Sequence, residues 1–203
     1  MSKSSPAETS LRKTLQALHS TTSPSSQQTA KLLSKAKLDL LSLDALIPTP
    51  STPSTHLALA RSVLETGALL SIRAINPDAF TRYYQQLQPF YELPGSAYGK
   101  EGGDGQRSKV TGLYLLLLLT KGDYAGFHTL LEGLETDEGM KDGFIKYPVM
   151  LEQWLMEGAY DKVWAATKRD GVPSEEFGVF HEVGRFSSRR SSFFVDEVML
   201  MSG

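Results

Sequence analysis

The chain has 203 residues, of which 40% are hydrophobic, 22% charged and 9% aromatic, the balance of a folded soluble chain rather than a disordered one. Its 21 lysines and arginines face 23 aspartates and glutamates, and the formal net charge of −2 excludes a global positive field for nucleic acid or anionic lipid. It has no cysteine, which removes disulfides, thiolate metal sites and thiol nucleophiles together.

The longest apolar block, residues 113–119, is far short of the roughly 20 residues a membrane-spanning helix needs. Residues 1–10 hold no apolar stretch that would serve as a signal peptide. A soluble chain of the cytoplasm and nucleus is expected. All nineteen aromatic residues lie between Phe80 and Phe194, so the first 79 positions must pack with Leu, Ala, Val and Ile alone. Two readings of that region stand side by side: a helical arm resting on a main body or a partner, or a Leu/Ala helix pair on the same core.

Helix signals recur along the whole chain. Ser5-Pro6-Ala7-Glu8 has capping-box spacing with proline at the first helical position, and Leu11, Leu15 and Leu18 follow at helical intervals. Thr22-Ser23-Pro24 restarts a helix whose predicted stripe is Leu33, Ala36, Leu40, Leu43 and Ile47. Three prolines in residues 48–54 make a stiff linker, with Ser54 or Thr55 as the cap of a third helix running to about Ile75. Asn76-Pro77-Asp78 ends that helix and opens a fourth carrying Phe80, Tyr83, Tyr84, Leu87 and Tyr91. The glycine-rich stretch 94–109 is predicted to be a flexible surface loop. A buried helix over 110–120 comes next, then a turn at Lys121-Gly122-Asp123 and an amphipathic helix marked by Tyr124, Phe127, Leu130, Leu131 and Leu134. Helices are predicted over 148–157 and 159–167, and another begins near Pro173-Ser174-Glu175. No strand alternation interrupts this series, so the fold class is all-α.

A weak repeat runs through the second half. Gly122-Asp123-Tyr124 with Phe127-His128 recurs thirty-six residues later as Gly158-Ala159-Tyr160 with Val163-Trp164. In each copy the glycine lets the backbone reverse between two helices. Helical hairpins repeating at about 34 to 40 residues mark tetratricopeptide-like stacks, an α-solenoid of paired helices. The domain reading is an N-terminal helical arm with a Pro-rich linker (1–53), a helical-repeat domain (54–181) and a divergent, irregular tail (182–203).

Catalytic and ligand-binding patterns are absent from the sequence. Gly99-Lys100 is followed by Glu101, with no preceding strand and no hydroxyl where a phosphate-binding loop needs one. His19, His56, His128 and His181 include no i, i+4 pair, so no metal site is predicted; His128 reads as a hydrogen-bonded core histidine. No Gly-x-Ser-x-Gly elbow exists for a serine nucleophile. Glu132, Glu135, Asp137 and Glu138 form a solvated acidic run. Glu152 and Glu157, set among Val149, Met150, Leu151, Trp154, Leu155 and Met156, are assigned to a packing contact within the chain or between chains. The run Arg185-Phe186-Ser187-Ser188-Arg189-Arg190-Ser191-Ser192 reads as an exposed, irregular tail, with a phosphorylation site or a short basic contact as alternatives. No catalytic residue, metal or cofactor is assigned.

The segments Ile145-Lys146-Tyr147-Pro148-Val149 and Leu151-Glu152-Gln153-Trp154-Leu155-Met156-Glu157-Gly158-Ala159-Tyr160-Asp161-Lys162-Val163 resemble the PCI-family lid subunits of the proteasome regulatory particle. Leu64-Glu65-Thr66-Gly67-Ala68-Leu69, residues 80–91, Gly112-Leu113-Tyr114-Leu115-Leu116 and Phe127-His128 add to the resemblance, which covers residues 57–181. It implies a non-catalytic scaffold of stacked helical hairpins followed by a winged-helix module, with other lid subunits as partners in a hetero-oligomer and the ATPase base as an indirect one. It implies ubiquitin-dependent protein degradation as the process served. The residues carrying this signature, and hence the candidate interface, are Tyr147, Pro148, Glu152, Gln153, Trp154, Glu157, Gly158, Tyr160 and Lys162. After His181 the match stops, Gly184-Arg185-Phe186-Ser187-Ser188 replaces the family's continuation, and a chain lacking the winged helix is expected. Alternatives are a sister PCI-like scaffold subunit of the signalosome or of a translation initiation factor, or a nucleic-acid-binding PCI module. The net charge opposes the last.

Overall fold

The computed structural model describes residues 6–20, 27–98, 105–134, 142–167 and 172–179. Its elements are α1 (Pro6–His19), α2 (Gln27–Ser42), α3 (Ser54–Arg73), α4 (Pro77–Tyr91), a 3-10 turn (Gly95–Tyr98), α5 (Arg107–Lys121), α6 (Tyr124–Glu132), α7 (Gly143–Met156) and α8 (Tyr160–Thr167). Residues 175–179 are helical as well, and no strand occurs among the described residues, so the all-α expectation holds. The chain forms two compact units, Met1–Arg107 and Ser108–Gly203.

In the first unit α3 is the central helix, with α1, α2 and α4 packed on it. It buries thirteen of its twenty residues, because its apolar positions surround the axis instead of forming a single stripe. α4 begins as predicted: the Asn76 side chain accepts the Ala79 N–H at 3.0 Å and Pro77 occupies the first turn. Phe80, Tyr83, Tyr84, Leu87 and Tyr91 are all buried, joined by Phe90. α1 contributes Leu11 and Leu18 to its seam with α2, which answers with Ala36 and Leu40. The predicted α2 stripe ends there. Asp44 adopts φ 50, the helix stops at Ser42, and Ile47 is 69% exposed. Neither Ser54 nor Thr55 caps α3; both lie inside it, and Pro53 takes the cap position with no side-chain bond. The predicted starts at Ser5 and at Thr22-Ser23-Pro24 lie outside the described residues, fully or in the capping residue.

Parts of the stretch predicted as a flexible glycine loop are docked on α3. Gly95–Tyr98 is a 3-10 turn on α3, and the Tyr98 hydroxyl donates to the Phe90 carbonyl. The Gln106 N–H donates to Glu65 Oε2 at 3.0 Å, and Tyr91 Oη donates to Glu65 Oε1 at 3.2 Å. Arg61 stands 3.8 Å from the same carboxylate and lies over the Tyr98 ring at 4.1 Å. This buried network satisfies each carboxylate oxygen, as a group removed from water requires. Residues 99–104 of the loop are outside the described set.

In the second unit α5 carries the apolar run, burying ten residues from Val110 to Thr120. The Asp123 side chain accepts the Gly126 N–H at 2.9 Å and opens α6. α7 starts five residues before the predicted position, because the Asp142 side chain accepts the Phe144 N–H and caps it. Pro148 therefore sits in the helix interior, where its missing N–H leaves the Phe144 carbonyl without an intrahelical donor. α5 passes against that carbonyl: a Cβ on Gly112 would lie 2.2 Å from it. Only glycine permits this approach.

Four helices end in one geometry. Gly122 and Gly158 both have φ +70. Gly122 N–H donates to the Leu119 carbonyl and Asp123 N–H to that of Leu118; Gly158 and Ala159 repeat the pattern onto Leu155 and Trp154. These are Schellman closures with glycine in the left-handed position. Asp44 and Ile75, at φ 50 and φ 54, close α2 and α3 with the same pair of bonds. The repeat read from Gly122 and Gly158 is thus one of backbone geometry, and it extends to the first unit where no glycine marks it.

Candidate interface surface

The α7–α8 hairpin carries the residues of the sequence signature and divides them between inside and outside. Tyr147 and Pro148 are buried. The Tyr147 hydroxyl donates to the Ala166 carbonyl at 3.2 Å, joining α7 to α8, and its ring meets Phe177 edge-on with centroids 5.7 Å apart. Burial pushes the Tyr147 phenol up to about 12, so it remains a donor at neutral pH. Glu152 is mostly covered and reaches His128 Nε2 of α6 at 3.4 Å. This contact within the chain is one of the two readings left for Glu152. His128 is not the core histidine its sequence position predicts: its side chain is 53% exposed. It follows the buried Phe127 by one position, which turns it away from the apolar face.

The remaining signature residues face outward to different degrees. Gln153 and Glu157 are exposed and bonded to each other, Nε2 to Oε1 at 2.9 Å. Trp154 and Tyr160 are half-buried, whereas Gly158 and Lys162 are exposed. Beside them Met156 and Trp164 are 59% and 48% exposed, large apolar groups outside the candidate interface read from the sequence. The acidic residues Glu135, Asp137 and Glu138, the histidine His181 and the 182–203 tail lie outside the described residues.

Sequence reasoning also missed what closes this unit. Phe177 is fully buried, stacked on Phe144 at 5.8 Å. Beside it the buried Glu176 accepts Lys109 Nζ at 2.9 Å and the Ser174 hydroxyl at 2.9 Å. A charged residue next to an apolar one, just after a proline-marked helix start, was the available signal. Among the described residues no group of three or more His, Asp or Glu is placed to hold a metal ion, and no helix is long and apolar enough to cross a membrane.

Paired helices closed by repeated left-handed turns define a helical-hairpin architecture. The comparisons with known proteins carry this further. Residues 106–179, spanning α5 to the Phe177 segment, match the CSN8/PSMD8/EIF3K family. The chain is similar to the 26S proteasome regulatory subunit RPN12 of Saccharomyces cerevisiae, 35% identical over 161 residues, covering 75% of this chain and 57% of the relative. It is similar to rpn12 of Schizosaccharomyces pombe, 35% identical over 158 residues, with 75% and 53% covered. The 26S proteasome non-ATPase regulatory subunit 8 homolog A of Arabidopsis thaliana is 35% identical over 155 residues, with 75% and 56% covered. The PCI-type lid-subunit resemblance read from residues 145–163 agrees with these matches, and the chain spans just over half the length of the relatives.

Proposed function

We propose that this chain is a non-catalytic structural subunit of the proteasome regulatory particle lid, supporting lid assembly and thereby ubiquitin-dependent protein degradation. The observation that carries the reading is the 35% identity to RPN12 across 75% of the chain, helices of both units included. It works by contact, needs no cofactor, and belongs to a hetero-oligomer in the cytoplasm and nucleus. Its partners are other lid subunits, with the ATPase base reached through them. The interface is the outward part of the α7–α8 signature, Gln153, Glu157 and Lys162, with the exposed Met156 and Trp164 supplying apolar area. Buried Tyr147 and Pro148 shape that surface from within.

The test is affinity purification of the tagged chain from its host, followed by mass spectrometry. Lid subunits are expected to co-purify, and a Trp164→Ala/Lys162→Glu double variant should lose most of them while retaining its helical circular dichroism. Recovery of the folded chain free of lid subunits, or with signalosome or initiation-factor subunits instead, would overturn the proposal.

A further inference from the structure

A second surface, in the first unit, points to a ligand of different chemistry. Between α2, α3 and α4 lies a groove of about 390 Å³ lined by Leu33, Ser34, Lys37, Leu70, Ala74 and Tyr83, among others. Its lining mixes apolar and aromatic surface with uncharged polar groups such as Ser71 and Asn76. Among the described residues that line it, Lys37 is the one cation, its Nζ 4.1 Å above the centre of the Tyr83 ring, and none is acidic. The helix forming one wall is basic although the whole chain carries a net charge of −2. α2 has Lys31, Lys35 and Lys37 against a single Asp39, which accepts the Ser10 hydroxyl at 3.0 Å, and of the three lysines Lys37 is the one that lines the groove.

Exposed apolar side chains occur on the same helix and at the α3–α4 turn. Leu38 and Leu41 of α2 are 65% and 61% exposed. Ile75 lies between the lining residues Ala74 and Asn76, exposed and held at φ 54, a conformation that β-branched residues rarely adopt. A groove with apolar and aromatic surface, Lys37 on its wall and no carboxylate among its described lining residues is complementary to an amphipathic helix bearing large apolar residues at i, i+3 or i+4 with Asp or Glu beside them. We propose that this groove docks an acidic amphipathic helix of a partner protein, its apolar residue entering above Leu70 and Ala74 and its carboxylate taking Lys37 from the Tyr83 ring. This inference stands apart from the lid reading, since it uses neither α7–α8 nor the identity of any subunit.

The test is selection of a displayed library of 14-residue helical peptides, randomised on one face, against the full 203-residue chain. Peptides carrying Leu, Ile or Phe at helical spacing with a net negative charge are expected to be enriched. In fluorescence anisotropy the best peptide should bind at least tenfold more weakly to Lys37→Glu, and its binding should be abolished by Ser34→Trp, which fills the groove from an exposed position. Circular dichroism of both variants checks that the fold is kept. Enrichment of basic peptides, binding unchanged by Ser34→Trp, or no enrichment at all would overturn the proposal. So would self-association of the chain that Ser34→Trp abolishes, because a second copy would then be the occupant.

Discussion

At the scale of single residues, Glu65 is the most informative group. Burial holds its carboxyl above the ordinary value, and this outweighs the pull of the Gln106 amide, Arg61 and Tyr91 in the opposite direction. A carboxyl raised on folding binds its proton more tightly in the folded chain than in the unfolded one. Its contribution to stability is therefore complete below the unfolded value and is lost as pH rises through the folded value. Glu65→Gln removes that dependence. Urea unfolding at about pH 5 and about pH 7 should show the parent losing stability relative to the variant as pH rises, and the reverse slope would show the ionised form to be the favoured one. A second residue-scale test uses the left-handed turns. Ile75 bears a conformation that costs an L-residue about 1–2 kcal/mol, so Ile75→Gly should stabilise by about 0.5 kcal/mol after the entropy lost to glycine. Gly158→Ala at the same position of its own turn should destabilise by about 1 kcal/mol. Thermal unfolding of the two variants checks the opposite signs.

At the scale of elements, what was legible and what was not separates along a physical line. Some caps and turns set by neighbouring residues could be read: Asn76 caps because a short side-chain oxygen reaches an N–H three residues on. Gly122 and Gly158 were readable as turns for the same local reason. Ile75 was not, because nothing in an isoleucine announces a left-handed turn that the packing of α3 on α4 enforces. The start of α7 was misplaced at Pro148, since an interior proline ordinarily ends a helix. Here the orphaned Phe144 carbonyl faces the Cβ-free backbone of Gly112 on another helix, a compensation distant in sequence. The candidate surface divides likewise: the signature was visible as a block, but which members face outward depends on the partner helix. This contact yields the element-scale prediction. Gly112→Ala gains about 1 kcal/mol of helix propensity but drives a methyl into a backbone oxygen that cannot rotate away, costing about 3 kcal/mol, so net destabilisation of about 2 kcal/mol is expected. Denaturant midpoints of the two forms measure it, and a neutral result would mean that α5 and α7 can separate without loss.

At the scale of the whole molecule, the uneven placement of aromatic residues sets where the chain holds together most tightly. α3 and α4 share a seam of Phe80, Tyr83, Tyr84, Phe90 and Tyr91 against the apolar girdle of α3. α1 and α2 each bury only three residues, among them Thr14 and Thr29, and no aromatic ring. Apolar area is the dominant stabilising term, at roughly 25 cal/mol per Å², and Leu and Ala contacts supply less of it per residue than Phe and Tyr. Local opening should therefore follow composition: α1 and α2 detach at lower free energy than α3 and α4 within the same unit. Hydrogen-exchange mass spectrometry is expected to show amides in 6–19 and 27–42 exchanging well ahead of those in 57–72 and 80–91. The groove proposal predicts a further change, because a helix seated against α2 buries apolar surface that the free chain leaves exposed. Saturating acidic peptide should then slow exchange in 27–42 and leave the 143–167 hairpin unaffected. Equal protection of α2 and α3 without any ligand would mean that Leu–Ala packing alone holds the first helices as firmly as the aromatic seam holds α4.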